Sequence, residues 1–330
     1  MTLRNLSIAG IAGAAALSLL SSQSIAAEAT IRAVTAFPKT TKLSKSFLRF
    51  VDKVNAEGKG VVQIKYLGGP EITPPREQPI AMKNGLFDMI YGPAGYYLGL
   101  FPEGDFLMGG KTPMQMRKNG AVDMVNNVMR KKMNALMIGR FDAGMGLYLF
   151  LKDKPKMSAN GLVDLAGLKL RSSPTYRNFL KDLGGTPVIM RPSQVYTALE
   201  RGVVDGMGMG LTDILDRKLN KFVKFTVDPP FTHAGIVSIV NAKVRDGLPA
   251  AARARLQELA VDWEEDTFHF WKKAEKKERD ELKRQGMTFL TIDGSAAAAY
   301  KEMFKRGPWA RMKKNTKVKL DVGKLKQLAY

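Results

Sequence analysis

The sequence predicts an α/β chain built from two lobes, each an open sheet with helices on its faces. Short β-branched or apolar runs alternate with amphipathic helical stretches through the first half, which is the grammar of a parallel sheet with helical crossovers. The second half repeats that alternation. A helical stretch after Pro249 then runs without Gly or Pro until Gly286, long enough to lie across both lobes.

The elements follow in order. Residues 30–35 and 61–66 are strands, and 42–56 is a helix with Leu43, Phe47, Leu48, Val51 and Val54 on one face and Gly58 at its end. A helix over 75–83 starts at proline and stops before Gly85, and 87–91 is a third strand. One long helical stretch is expected over 113–137. In the second half, 168–172, 187–190, 203–207 and 236–241 are strands. Ser193 is the expected N-cap of a helix reaching Arg201, closed by Gly202. In open parallel sheets ligands bind beyond the carboxyl ends of the strands. That rule selects loops 36–39, 68–71 and 92–97 in the first half, and 172–176, 191–193 and 206–210 in the second.

Residues 1–27 have one early cation, Arg4, an apolar stretch from Ile8 to Leu20, and small residues ending in Ala26-Ala27. This is a secretory leader, too short in its apolar part for the ~20 residues of a spanning helix. No later stretch is long and apolar enough to span a bilayer. The chain has no cysteine, which excludes a disulfide framework, a thiol nucleophile, a thiolate metal site and a lipidated cysteine anchor. The expected location is the periplasm.

The formal net charge is +21. Nucleic acid is not the expected partner, because the densest basic runs (272–284 and 311–326) lack interleaved aromatics, and the first carries Glu and Asp at helical spacing. Such charge can instead steer anionic ligands or an acidic partner. His233 and His269 are far apart, with no HxxH or HExxH spacing, so no metal site is expected. No GxSxG, P-loop or GxGxxG fingerprint points to an enzyme.

Residues 162–206 read LVDLAGLKLRSSPTYRNFLKDLGGTPVIMRPSQVYTALERGVVDG. The segments LAGLKLR, GGTPVIM, SQVYTALERG and VVDG, together with GLFDM at 85–89, resemble the DctP-type substrate-binding proteins of TRAP (tripartite ATP-independent periplasmic) transporters. The resemblance implies a two-domain periplasmic-binding-protein fold, type II-like, with a cleft between two open sheets and a long bridging C-terminal helix. It implies one domain of 28–145 plus 237–275 and another of 146–236 plus 276–330. The lobes would hinge near 142–148 and 234–237. It also implies no catalysis and no cofactor, a small organic acid as ligand, a monomeric receptor, and the membrane subunits of a TRAP transporter as partner. A receptor serving a sensor or chemoreceptor would look the same in sequence.

The family's ligand-gripping arginine falls on Arg171. A guanidinium is always charged, and its planar fork matches a carboxylate bidentately. Arg191 departs from the family pattern and is either a second anion contact or an exposed side chain. Tyr196 matches the family tyrosine and serves as core or as ligand contact. Where the family continues VDG with polar residues, this chain has Met207 and Met209, which suggest an apolar wall and a monocarboxylate or 2-oxo acid. Glu71, in a lengthened loop, either accepts hydrogen bonds from a ligand or caps the helix that follows. Phe37, Tyr96, Phe231 and His233 complete the expected cleft, with core or rim packing as the alternative for each.

Overall fold

The computed structural model describes residues 28–108, 110–318 and 320–329. The expected leader lies outside these residues. The chain begins β1 (Ala29–Thr35), α1 (Lys42–Glu57), β2 (Val62–Gly68), α2 (Gln78–Lys83) and β3 (Met89–Pro93), then α3 (Pro113–Lys118), α4 (Ala121–Met133) and β4 (Ala135–Gly139). It crosses into a second sheet with β5 (Gly146–Leu151), a short ribbon of β6 (Lys156–Met157) and β7 (Val163–Asp164), and β8 (Lys169–Ser172). There follow α5 (Arg177–Asp182), β9 (Thr186–Ile189), α6 (Val195–Glu200), β10 (Gly206–Gly210) and β11 (Phe225–His233). It returns with β12 (Ile236–Asn241), α7 (Ala242–Gly247) and α8 (Ala250–Arg284), and closes with β13 (Thr288–Thr291), α9 (Gly294–Lys314) and α10 (Val322–Ala329).

The first sheet has the order β2-β1-β3-β12-β4 and the second β13-β11-β5-β10-β8-β9. Both are mixed. β12 runs antiparallel to β3 and β4, and β5 runs antiparallel to β10 and β11. The wholly parallel sheets expected from the sequence are therefore corrected. The strands that change lobe enter the opposite sheet at the end where its neighbouring strands finish, so they run against them.

Each sheet buries both faces. In β1, Ile31 and Ala33 pack with α1 and α8, while Val34 faces α4. In β5, Tyr148 and Phe150 lie under α6, while Leu149 and Leu151 face α5 and α9. This is the two-residue alternation of a strand covered on both sides.

The single helical stretch expected over 113–137 is three elements. Gly120 at φ 82° separates α3 from α4, and Asn134 at φ 50° ends α4. The five residues of β4 are all buried and pair with β12. The helix expected over 75–83 begins only at Gln78. Ser193 is not an N-cap: it lies inside a 3-10 turn, Pro192–Gln194, that leads into α6.

Three connections join the lobes besides α8: residues 140–145, residues 234–235 and α9. Tyr300 and Phe304 of α9 pack in the second lobe, while Trp309 and Met312, with Leu325 of α10, pack in the first. The assignment of all of 276–330 to the second domain is thus corrected for its last part. The tail has enough apolar surface to cover the first sheet, and α9 is long enough to carry it there.

Candidate ligand-binding cleft

β8 ends at the sheet edge with Arg171 and Ser172, between β10 and β9. Arg171 is only 5% exposed. Its Nη1 donates to the Tyr176 hydroxyl at 2.7 Å and to the Gly208 carbonyl at 2.9 Å. Its Nε and Nη2 donate to the Met190 carbonyl at 3.3 Å. The Tyr176 hydroxyl itself donates to the Gly208 carbonyl at 2.7 Å. All these partners are neutral oxygens. Among the described residues no carboxylate pairs with this buried guanidinium. A buried cation is ordinarily paired, because desolvating it alone is expensive.

The glycine at 208 makes the arrangement possible. A Cβ there would lie 2.6 Å from the Tyr176 ring. The alternation in GMGMG therefore turns glycine toward Tyr176 and methionine toward the core.

The facing wall comes from the first lobe. After β3, a 3-10 turn (Ala94–Tyr96) presents Tyr96, and a Cβ on Gly95 would lie 2.7 Å from the Thr175 methyl group. The Arg76 guanidinium carbon stands 5.9 Å from the Tyr96 ring centre. Burial pushes the Tyr96 phenol above its ordinary value, opposed by the positive fields of Arg171, Arg76 and Arg191. Three guanidinium groups from two lobes thus act on one hydroxyl. Beside them, Arg311 of α9 pairs with Asp105 at 2.8 Å and donates to the Thr175 carbonyl at 3.1 Å, tying the second lobe's loop to the first.

Residues 33–314 match the family model DctP, bacterial extracellular solute-binding protein, family 7. The chain belongs to this family. The DctP protein of Rhodobacter capsulatus, a C4-dicarboxylate-binding periplasmic protein, is 31% identical over 42% of this chain and 43% of its own length. The chain is thus matched over less than half of that curated relative. Solved folds agree over nearly the whole chain. A TRAP transporter solute-binding protein of Bordetella bronchiseptica, with calcium and picolinate in its active site, has a TM-score of 0.76 at 20% identity, covering 92% of each chain. A Bordetella pertussis extracytoplasmic solute receptor binding pyroglutamic acid has a TM-score of 0.72 at 16% identity, covering 91% of this chain and 99% of its own.

Within this family-7 fold, the structure sets Arg171 and Tyr96 on facing walls, leaves Arg191 exposed with its positive field reaching the Tyr96 hydroxyl, and disperses the other expected residues. Met207 is fully buried and Met209 nearly so, and both pack with Tyr148 and Phe150 beneath α6. The apolar cleft wall expected of them is corrected, because their side chains point away from the Tyr176 face of β10. Tyr196 sits edge-on to Phe222, with ring centres 5.0 Å apart, on the same side of the second lobe. Phe231 is buried in an aromatic cluster, 4.8 Å from Phe179 and 5.3 Å from Tyr176. It backs Tyr176 from behind. His233 ends β11 beside the crossing at 234–235, with Nε2 3.1 Å from Lys272 Nζ.

On the first lobe, Phe37 is half-buried and packs edge-on to Tyr91 at 6.1 Å. Glu71 is exposed, and its Oε1 accepts from the Gly69 backbone N–H at 2.6 Å. It therefore caps its own loop rather than α2. Sequence reasoning did not single out Arg76, Tyr176 or Gly208. The five-residue step from Arg171 to Tyr176 and the glycine alternation were the available signals.

Proposed function

We propose that this protein is the extracytoplasmic receptor of a TRAP-type transporter, exported through its 1–27 segment, and that it captures a small organic acid between its lobes. The observation that carries this reading is Arg171, a buried guanidinium met only by neutral oxygens. A carboxylate entering the cleft supplies the missing charge and a bidentate partner. Arg76 and Arg191 add positive potential at the mouth, and Tyr96 offers a hydroxyl from the opposite lobe. Closure over the ligand shifts the population toward the engaged form, which the membrane subunits then receive.

The picolinate and pyroglutamate of the Bordetella proteins each carry one carboxylate, in keeping with one buried arginine on the cleft wall. A methionine wall is no longer a ground for preferring a monocarboxylate. Arg171 is the remaining one.

The test is a thermal-shift screen of the mature protein against mono-, di- and 2-oxo carboxylates and phosphorylated acids. Ligand at a hundred times its Kd adds about 2.7 kcal/mol to the native state. Silence from every organic acid would sink this reading.

A further inference from the structure

A cavity of about 400 Å3 lies apart from the cleft, at the junction of both lobes with the bridging helix. Its walls come from the start of α1, the segment after β10, and the second half of α8. Neither Arg171, Tyr96 nor Tyr176 lines it. Its floor is apolar, with Leu215, Phe270, Trp271 and Ala274. Phe270 is 43% exposed, unusual for a large apolar side chain, and the Arg49 guanidinium stands 4.6 Å from its ring centre.

Around that floor stand five lysines or arginines and two glutamates. The glutamates are already engaged. Glu278 accepts from the Leu215 backbone N–H at 3.1 Å, and Glu281 pairs with Arg284 and accepts from Gln285. Lys45 and Lys277, both exposed, meet no carboxylate among the described residues. The basic rim continues along α8 through Lys273, Lys276 and Lys283, which line an adjoining depression. Such a field raises the local concentration of anions.

A concave apolar floor with a few charged groups at its edge, at a domain junction and within the ~300–1,000 Å3 range, is the usual form of a small-ligand site. The positive excess selects the charge of the occupant, and the aromatic floor selects its body. We propose that this cavity is a second binding site, for an amphiphilic organic anion with an aromatic or alkyl body. The body lies against Phe270 and Leu215, and the anionic group meets Lys45, Lys277 and Arg49. The site shares none of the residues Arg171, Tyr96 or Tyr176 with the cleft and does not rest on the transport reading.

The probe is 8-anilinonaphthalene-1-sulfonate, an aromatic sulfonate whose emission rises on leaving water, titrated into the mature protein. Saturable binding that weakens with salt is expected. Lys277→Glu reverses an exposed charge and Phe270→Ala removes the floor, and each should weaken binding by roughly tenfold or more. Both are surface changes, and a cooperative melt with native circular dichroism confirms folding. Arg171→Ala should leave probe binding unchanged. No saturable binding overturns the proposal, as does unchanged affinity in both cavity variants. Loss of probe binding in Arg171→Ala alone overturns it too, since it would place the probe in the cleft.

Discussion

Along α8, buried carboxylates meet donors from the segments that join the lobes, whereas in the cleft a buried cation meets none of opposite charge. Glu264 accepts from Arg117 Nε and from the Arg140 backbone N–H, and Glu275 accepts from the Gly146 backbone N–H. Between them, Thr267 accepts from the Asp142 N–H at 3.1 Å, and the Trp271 indole donates to the Asp142 carboxylate. These residues recur every three or four positions, so they share one helix face. That face holds the crossing at 140–146 in place. Burial pushes Glu264, Glu275 and Asp142 above the usual carboxylate range, with these donors opposing it. The contrast separates structure from function. Charge matched within the fold is scaffold, and charge left for a partner to match marks the site.

The largest effect is expected of Glu264→Ala. It strands the Arg117 charge and leaves the Arg140 N–H unmatched. Breaking a buried pair in this way costs about 3–5 kcal/mol. Urea unfolding should register that loss, and a change below about 1 kcal/mol would mean that Glu264 does not hold the crossing.

Arg171→Met should behave oppositely. Removing a buried cation that has no carboxylate relieves its desolvation but takes a donor from the Met190 and Gly208 carbonyls, so unliganded stability should fall by no more than about 1–3 kcal/mol. Affinity for any organic acid found by the screen should fall by ~2–5 kcal/mol, or roughly 30-fold to several thousand-fold. Calorimetry and unfolding on the same variant test both halves. A variant that loses stability as Glu264→Ala does, yet keeps its ligand, would make Arg171 part of the scaffold.

The sequence showed the scaffold more clearly than the cleft. α1 and α8 lie within a residue or two of where periodicity and the Gly and Pro stops put them. Arg171 was placed by the strand-end rule together with the family motif. β4 was lost because ALMIG, after a helix, is a short apolar run that periodicity cannot tell from helix. Met207 and Met209 were assigned to the cleft because a strand's alternation does not say which face meets the core. The return of α9 to the first lobe has no local signal, since Trp309 and Leu325 only acquire a partner surface once the sheet exists. Arg76 acts from a loop whose path is set by tertiary contacts.

Gly208→Ala gives the next effect in size and ties the two regions together. The added methyl group would sit 2.6 Å from the Tyr176 ring, and Tyr176 is held from behind by Phe231, which is itself stacked on Phe179. Overpacking of this kind costs about 1–3 kcal/mol. It should also weaken ligand binding, because Tyr176 and the Gly208 carbonyl position the Arg171 guanidinium. Calorimetry should show both losses. Unchanged affinity would mean that Arg171 does not depend on this face of β10.

The smallest expected effect comes from His233, beside the hinge. Burial, then the positive charges of Lys272, Arg140 and Lys301, push its pKa down to about 3 from an ordinary 6.5. The unfolded chain therefore takes up a proton as pH drops below 6.5, while the folded protein does not until about 3. Stability from this group is complete above 6.5 and is lost progressively as pH falls through that window. The buried carboxylates of α8 have the opposite sign: their raised values favour the folded state as pH falls. The two contributions overlap, so the wild-type curve alone does not isolate the histidine. His233→Asn removes only the first. The difference between variant and parent in unfolding free energy, followed by urea titration at pH 7 and pH 5.5, should change by ~1 kcal/mol in favour of the variant at the lower pH. Parallel curves for the two proteins would mean that His233 titrates normally and that the hinge leaves it open to water.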